Sequence, residues 1–411
     1  MDRAAFNRRT ILGGLFSCAA LPTALTLPSV LPPLLAAEPK TVRRAAIFGH
    51  TGRGNYGHRL DRLFLNRDDV KVVGVADPVA KGAAKVAALY PGAETFADYN
   101  QLLAKLKPEL VVVGPRWTDQ HHDMTAAALR AGAHVFLEKP FTQTLAEADA
   151  LLSLAKEKNL RIAVAHQMLM DPNIQALGTV IADESLIGPL EEIRVFGKMD
   201  HRAGAEDLLV LGTHLFDMVR YFGGDAVWAT AHIMEGDREV TQADARKARN
   251  DDLGLIAGTQ IHAQLMLDSG VHVSFVSRKG LKDLTSGWGF ELRGQRSAVR
   301  VFLNHPTRIY LRERKTVGSE ITDHWKRWPA DPKSYPAFAG GEAMDDFNRR
   351  LTDDWLAGIA ENRDPICSGQ RAMKSLEILH AILHAGLRRE RVAIPLVDRS
   401  HPLSEAPLTG E

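Results

Sequence analysis

The stretch from Ala45 to Asp77 limits the fold more than any other part of the chain. Ala45-Ala-Ile-Phe48 is an apolar run of strand length, and it opens directly into Gly49-His-Thr-Gly-Arg-Gly-Asn-Tyr-Gly57. Glycine in such a turn lets backbone N–H groups approach a pyrophosphate, and a helix starting behind the turn adds a favourable dipole. Tyr56, Leu60, Leu63 and Phe64 stand at helical spacing and predict that helix. A second apolar run, Val70 to Ala76, ends in Asp77. A carboxylate at this place in a dinucleotide site holds the adenosine ribose hydroxyls and repels a 2′-phosphate. A glycine loop alone would be only a tight turn. Strand, loop, helix, strand and terminal acid in this order predict a Rossmann unit and favour NAD over NADP.

The alternation continues, with strands expected at Leu110 to Val113, Val135 to Leu137 and Ile162 to Ala165, and helices at about His122 to Ala131 and Leu145 to Lys158. Strands alternating with helices of this length imply a parallel sheet. Within Ala133-His-Val-Phe-Leu-Glu-Lys-Pro-Phe141 the strand stops at two charges and a proline that cannot continue a ladder. Glu138 and Lys139 are thereby placed at the carboxyl edge of the sheet, where open α/β folds bind their ligands. A lysine there can give or take a proton beside a cofactor; the plain alternative is a surface Glu-Lys pair. His121 and His122 either meet a ligand near the strand end at Pro115 or cap a helix.

Taken together, Gly49 to Gly57, Asp77-Pro78, Val111-Val-Val-Gly-Pro115, His121, Ala131-Gly-Ala-His-Val135 and Glu138-Lys139-Pro140 resemble the Gfo/Idh/MocA oxidoreductases. The likeness runs on through Thr144-Leu145, Val164-Ala-His-Gln167 and Pro365-Ile-Cys-Ser-Gly369, from about Arg43 to Pro395. It implies that Gly49, Thr51, Gly52, Arg53, Gly54, Asp77, Pro115, His121, Glu138 and Lys139 line a dinucleotide, that the substrate is a carbohydrate or related polyol, and that the protein is a homo-oligomer.

Family members usually carry Asp-x-Gly-x-His-x-x-Asp beside the nicotinamide, the first acid and the histidine forming a relay with the lysine. Gly212, His214 and Asp217 match that pattern, but the first acid's position is Val210. Asp207, the nearest carboxylate, precedes His214 by about 10 Å of ideal helix and could help only if the backbone there is not helical. Lys139 and His214 are therefore the expected catalytic pair. Trp117, Lys198, His201, Arg202, Asp207 and Asp217 are candidate substrate contacts, the indole as a stacking face for a sugar ring.

Past His166 the pattern changes to short strands at Leu190 to Val195, Ala226 to Ile233, Ile261 to Leu267, Val271 to Val276, Phe290 to Arg293, Val299 to Leu303 and Arg308 to Leu311. Asp268-Ser-Gly270 makes a hairpin of the third and fourth. Thr316 to Gly341 reads as a long loop, followed by a helix with Phe347, Leu351, Trp355 and Ile359 on one stripe and another from about Arg371 to Leu387. The expected fold is α/β: a Rossmann doubly wound parallel sheet over 43–165, an α+β domain with a largely antiparallel sheet over 166–340, and C-terminal helices over 341–395.

Residues 1–37 read as an export signal. Asn7-Arg8-Arg9-Thr10 and the mildly apolar stretch after it have the layout of a twin-arginine leader, which places the mature protein in the periplasm or elsewhere outside the cytoplasm. Pro22, Pro28, Pro32 and Pro33 interrupt any run of about 20 residues able to span a bilayer, so no stable membrane insertion is expected. The cysteines are Cys18 and Cys367; no disulfide survives loss of the leader, and no spacing suggests a metal. A net charge of +1 makes no electrostatic case for nucleic acid. Three functions remain open: net oxidation of a sugar or polyol, glycoside cleavage through a transient keto-sugar with the hydride returned, and NAD binding or sugar sensing without turnover.

Overall fold

The structure is a computed structural model and describes residues 42–249, 253–279, 287–304, 306–317, 320–329 and 343–404. The expected leader with Arg8, Arg9 and Cys18 lies outside the described residues, as do 318–319 and 330–341 of the expected loop from Thr316 to Gly341.

Six strands form the first sheet: β1 (Arg43–Phe48), β2 (Val70–Ala76), β3 (Glu94–Phe96), β4 (Leu110–Val113), β5 (His134–Leu137) and β6 (Ile162–Val164). Their order is β3-β2-β1-β4-β5-β6, with every neighbouring pair parallel. Ala45 to Phe48, Leu110 to Val113 and Val135 to Leu137 are all wholly buried. A parallel sheet covered on both faces requires such uninterrupted apolar strands. The cover comes from α1 (Ala80–Ala87), α2 (Tyr99–Leu106), α3 (His121–Arg130) and α4 (Leu145–Glu157). The Asp98 side chain caps α2 through Asn100 N at 2.8 Å, and Thr144 and Glu147 form a reciprocal capping box on α4. Strand order turns back between β1 and β4, and the loops leaving those two strands diverge to frame a crevice.

The helix expected behind the glycine loop is replaced by a tight, irregular segment, Gly57–Arg62, with His58 and Arg59 in left-handed conformation (φ 42° and 63°). The physical reason is tertiary. The His58 imidazole is bonded to Glu138, its carbonyl accepts from Asn348 Nδ2 at 2.8 Å, and the Arg59 guanidinium makes a two-pronged pair with Asp345 at 2.5 and 2.7 Å. Leu60, Leu63 and Phe64 are buried as their apolar pattern requires, without the α-helix that the same pattern suggested.

After α5 (Pro172–Ala182) comes the second sheet. Its strands are β7 (Leu190–Phe196), β8 (Ala226–Glu235), β9 (Arg238–Glu239), β12 (Gln260–Leu267), β13 (His272–Arg278), β14 (Gly289–Gly294), β15 (Ala298–Phe302), β16 (Arg308–Val317), β17 (Glu320–Arg327) and β18 (Val392–Ala393), while the short β10 (Arg246–Lys247) and β11 (Leu255–Ile256) pair separately. Every pairing in it is antiparallel except β7 with β13. The expected hairpin closes at Gly270 (φ 85°) between β12 and β13. β17 corrects the expected loop from Thr316: its strongly polar Glu-Ile-Thr-Asp-His-Trp-Lys-Arg sequence is that of an edge strand, which needs no apolar alternation to pair with β16.

Helices α6 (Ala205–Gly223) and α8 (Gly369–Arg388) pack on one face of this sheet and on each other, and α7 (Ala343–Ala360) lies against the glycine-loop side of the first sheet. A Cβ at Gly212 would meet Leu379 at 2.9 Å, so the glycine lets α6 and α8 approach closely. Among the described residues no helix is long and apolar enough to cross a membrane.

Candidate active site

The glycine loop is tied down on both flanks. On one side Asp77, wholly buried, accepts from Thr51 N, from Thr51 Oγ1 at 2.7 Å, from Tyr56 OH at 2.9 Å and from Val79 N at 2.9 Å. The Tyr56 ring lies against Gly49, where a Cβ would meet it at 2.0 Å. On the other side Arg53 pairs with Asp119 and stacks 5.3 Å over Trp117, Arg116 N donates to the Gly54 carbonyl at 3.1 Å, and Gln120 Nε2 donates to the Arg53 carbonyl at 3.2 Å. Gly52 and Gly54 have φ of 83° and 87°, and Gly54 packs on the backbone of Arg116 and Trp117. Asp77 is bonded to Thr51, Tyr56 and Val79, and Trp117 serves as a platform for Arg53.

A cavity of about 380 Å³ remains at the carboxyl ends of β1 and β2, bounded by Phe48, Gly49, His50 and Arg53 on one side and Pro78, Asp98 and Tyr99 on the other. Because Gly49 and Gly54 are packed from behind, the open face of the loop is left to a ligand. The residues therefore fit a dinucleotide, with Gly49, His50 and Arg53 beside its phosphates and Asp98, Asp119 and Asp123 supplying the carboxylates on the cavity wall.

At the end of β5 Glu138 is also wholly buried. It accepts from its neighbour's backbone, Lys139 N, at 2.5 Å and from His58. Burial pushes this carboxyl up, but His58 and Lys139 beside it outweigh that and hold it below its ordinary value. A Cβ at Gly57 would strike Glu138 Oε1 at 2.2 Å, which fixes that position as glycine. Glu138 is thus a strut between the glycine loop and the lysine. His121, buried, bridges the Pro115 carbonyl (Nε2, 2.7 Å) and the Pro140 carbonyl (Nδ1, 2.7 Å), locking the ends of β4 and β5 together. Pro115 and His121 are accordingly part of the frame.

Lys139 is 4% exposed, and its Nζ lies 3.5 Å from the carbonyl of Val210 on α6. His214, one turn further along α6, is 4% exposed and has its ring 6.1 Å from that of Trp288 and 5.5 Å from that of His166. The fold therefore brings Lys139 against α6 one turn before His214. The α6 backbone is helical from Ala205, so Asp207 does not reach them: it accepts from Ser277 Oγ at 2.7 Å and Met199 N at 3.2 Å, with burial raising its carboxyl. Asp217 is wholly buried in an ion pair with Arg371 of α8. Both expectations of a direct substrate contact are corrected, because a buried carboxylate needs its partners more than a ligand does. Lys198, His201 and Arg202 gather instead around Asp200, at 3.8, 3.6 and 2.6 Å, on a partly exposed turn.

His166, His58, Tyr56, Trp288 and Arg371 were not foreseen as site residues. For His166 a signal existed: it follows the apolar run Ile162 to Ala165, so it stands at the same carboxyl edge that singled out Lys139. No group of histidine, cysteine and carboxylate side chains able to hold a metal occurs among the described residues.

A parallel sheet in the order of a dinucleotide fold, a lysine at its carboxyl edge and a histidine helix from a second, mixed sheet define a two-part NAD-binding α/β protein. Two family models match: the NAD-binding Rossmann fold of the oxidoreductase family over residues 43–166 and its C-terminal alpha/beta domain over residues 197–394. The chain belongs to the Gfo/Idh/MocA oxidoreductase family. It is 36% identical over 107 residues to UDP-N-acetylglucosamine 3-dehydrogenase of Acidithiobacillus ferrooxidans, covering 26% of this chain and 33% of that protein. The chain spans 33 to 60% of the length of the first curated relatives it matches. Among solved structures it shares its fold with a levoglucosan dehydrogenase in complex with NADH and L-sorbose (TM-score 0.67, 18% identity, 86% of this chain and 99% of that one). It shares it also with the aldose-aldose oxidoreductase of Caulobacter crescentus in complex with glycerol (TM-score 0.62, 17% identity, 86% and 100%).

Proposed function

We propose that the protein is an NAD-dependent oxidoreductase acting on a carbohydrate or related polyol outside the cytoplasm, with a cofactor that stays bound and a hydride that is returned within the catalytic cycle. The observation that carries the reading is that the nearly buried Lys139 reaches the Val210 carbonyl of α6, one turn before the nearly buried His214. NAD, when bound, accepts the hydride of an alcohol carbon. The hydroxyl proton then needs a base held out of bulk water, and Lys139 and His214 supply an amine and an imidazole. Asp98 and Asp123 on the cavity wall disfavour a 2′-phosphate and support NAD over NADP; Asp119 is already paired with Arg53. The named sugar and polyol enzymes among the relatives support the substrate class.

A second reading follows from Val210. Oxidation beside a glycosidic carbon acidifies the adjacent C–H, so elimination and return of the hydride cleave the bond with no net redox change, and a site without the usual acid is suited to chemistry other than simple alcohol oxidation. Nicotinamide dinucleotides are recycled in the cytoplasm, so an exported enzyme gains from either closed cycle. The open face of the second sheet, lined by Thr230, His262, Gln264 and Ser274, is the proposed surface for self-association.

Purified protein is expected to carry NAD through gel filtration, to be larger than one chain by light scattering, and to convert sugars or glycosides without accumulating NADH. Protein isolated empty, whose turnover needs added NAD and releases one NADH per substrate, would restore an ordinary dehydrogenase; bound NAD with no turnover of any sugar would leave a sensor. For the leader, changing both Arg8 and Arg9 to Lys is expected to abolish export, measured by cell fractionation, and unchanged export of that variant defeats the twin-arginine reading.

A further inference from the structure

His166 stands between the lysine strand and the histidine helix and is 1% exposed. Its Nε2 lies 2.7 Å from the Thr213 hydroxyl. Its Nδ1 has no hydrogen-bond partner and faces Asp217 Oδ1 at 3.9 Å. Asp217 Oδ1 accepts from Arg371 Nε, its carbonyl accepts from Arg371 Nη2 at 2.8 Å, and Oδ2 has no partner. The His166 backbone is held as well, its carbonyl accepting from Leu169 N at 3.2 Å and facing Cys367 Sγ at 3.5 Å.

These positions choose a tautomer. A neutral imidazole has one N–H. Placed on Nδ1, it points at the Asp217 carboxylate; placed on Nε2, it leaves a lone pair facing that carboxylate, which the sign of the charge disfavours. With the proton on Nδ1, Nε2 is an acceptor, and the Thr213 hydroxyl donates to it. Burial pulls the imidazole down to about 4; Asp217 offsets part of this, and Arg371, Lys139 and Arg220 add to it, so the ring is neutral at neutral pH.

We propose that Arg371, Asp217, His166 and Thr213 form one polarised chain that stands beside His214 in place of the carboxylate missing at Val210, with His166 as its positioning residue. The proposal rests on the reading of Lys139 and His214 as the reacting pair. Asp217 lies one turn after His214, and its own charge is largely met by Arg371. The Asp217 carboxylate acts on the imidazole across 3.9 Å as a charge rather than through a hydrogen bond, and the one hydrogen bond of the ring passes part of that negative potential to Thr213, the residue before His214. Proton uptake at the reacting pair is favoured in the same sense as by a carboxylate at 210, and the neutral ring adds no second positive charge next to Lys139.

The test has two parts. Ring ¹⁵N NMR of the purified wild-type protein is expected to show His166 in the Nδ1–H tautomer, unchanged between pH 6 and 8; an Nε2–H tautomer overturns the proposal whether or not a substrate is known. In turnover, His166→Phe is expected to lower kcat by about tenfold or more with KM within about threefold and NAD retained. His166→Gln, which offers an acceptor to Thr213 and a donor to Asp217, is expected to recover most of the loss. A fully active Phe variant, or a Gln variant as impaired as Phe, overturns it. Wild-type protein that turns over no sugar fails the functional reading instead, and the tautomer still decides this one.

Discussion

Lys139→Met is expected to lower kcat by about 10² to 10⁴-fold, the range that a positioned proton carrier contributes, while the protein folds and keeps its cofactor. The side chain is almost wholly buried at the end of β5, and Met has nearly its volume, so the packing around Val210 is preserved while the amine is lost. The glycine loop is held through Glu138, Asp77 and Asp119 rather than through the lysine side chain, so NAD content should stay within a factor of about two. His214→Ala is expected to lose activity to a similar or smaller degree, since Lys139 remains. Single-turnover kinetics on a sugar substrate, with NAD content measured on the same sample, distinguish a chemical from a binding defect. Full activity in either variant removes that residue from the mechanism.

Stability is expected to fall steeply on acidification. Burial depresses the imidazoles of His166 and His401 to about 4, and that of His380 well below its ordinary value. In the unfolded chain each takes a proton near pH 6.5, and in the folded protein it does not. Between pH 6.5 and about 4 the unfolded state therefore binds more protons, and stability drops as the pH falls. Each group contributes about 1.4 kcal/mol per pH unit at most, so the three together approach about 4. The half-buried His134 and the buried His384 act in the same direction, while the raised Asp61 and Asp207 carboxyls, which favour the folded state once protonated, oppose them. Urea denaturation at pH 7 and pH 5 is expected to show a loss of several kcal/mol, and His380→Phe should make the slope shallower by up to about 1.4 kcal/mol per pH unit. Equal stability at the two pH values would contradict the burial of these rings.

The parallel sheet, its covering helices and the place of Lys139 were legible because buried parallel strands are continuous apolar runs, and because Pro140 and the charges before it stop one at the functional edge. The site was legible only in part. Asp77, Asp207, Asp217 and Glu138 are all carboxylates in positions suited to a ligand, yet each is consumed by an internal partner: Thr51 and Tyr56, Ser277, Arg371, and His58. Pairings across 21, 26, 70, 80 and 154 residues leave no periodic trace.

Local order along the chain determined where most strands and helices lie, where the glycine loop falls, and that a lysine stands at the carboxyl end of β5. Tertiary structure alone decided the rest. The apolar spacing of Tyr56, Leu60, Leu63 and Phe64 is satisfied equally by an α-helix and by the bent segment that His58 and Arg59 impose. The polar β17 is a strand because β16 offers it an edge. His166 stands at the candidate site because the end of β6 meets Thr213, His214 and Asp217 on α6. Periodicity records which face of an element is apolar; the partner of a buried charge is set by whichever distant element the fold brings against it.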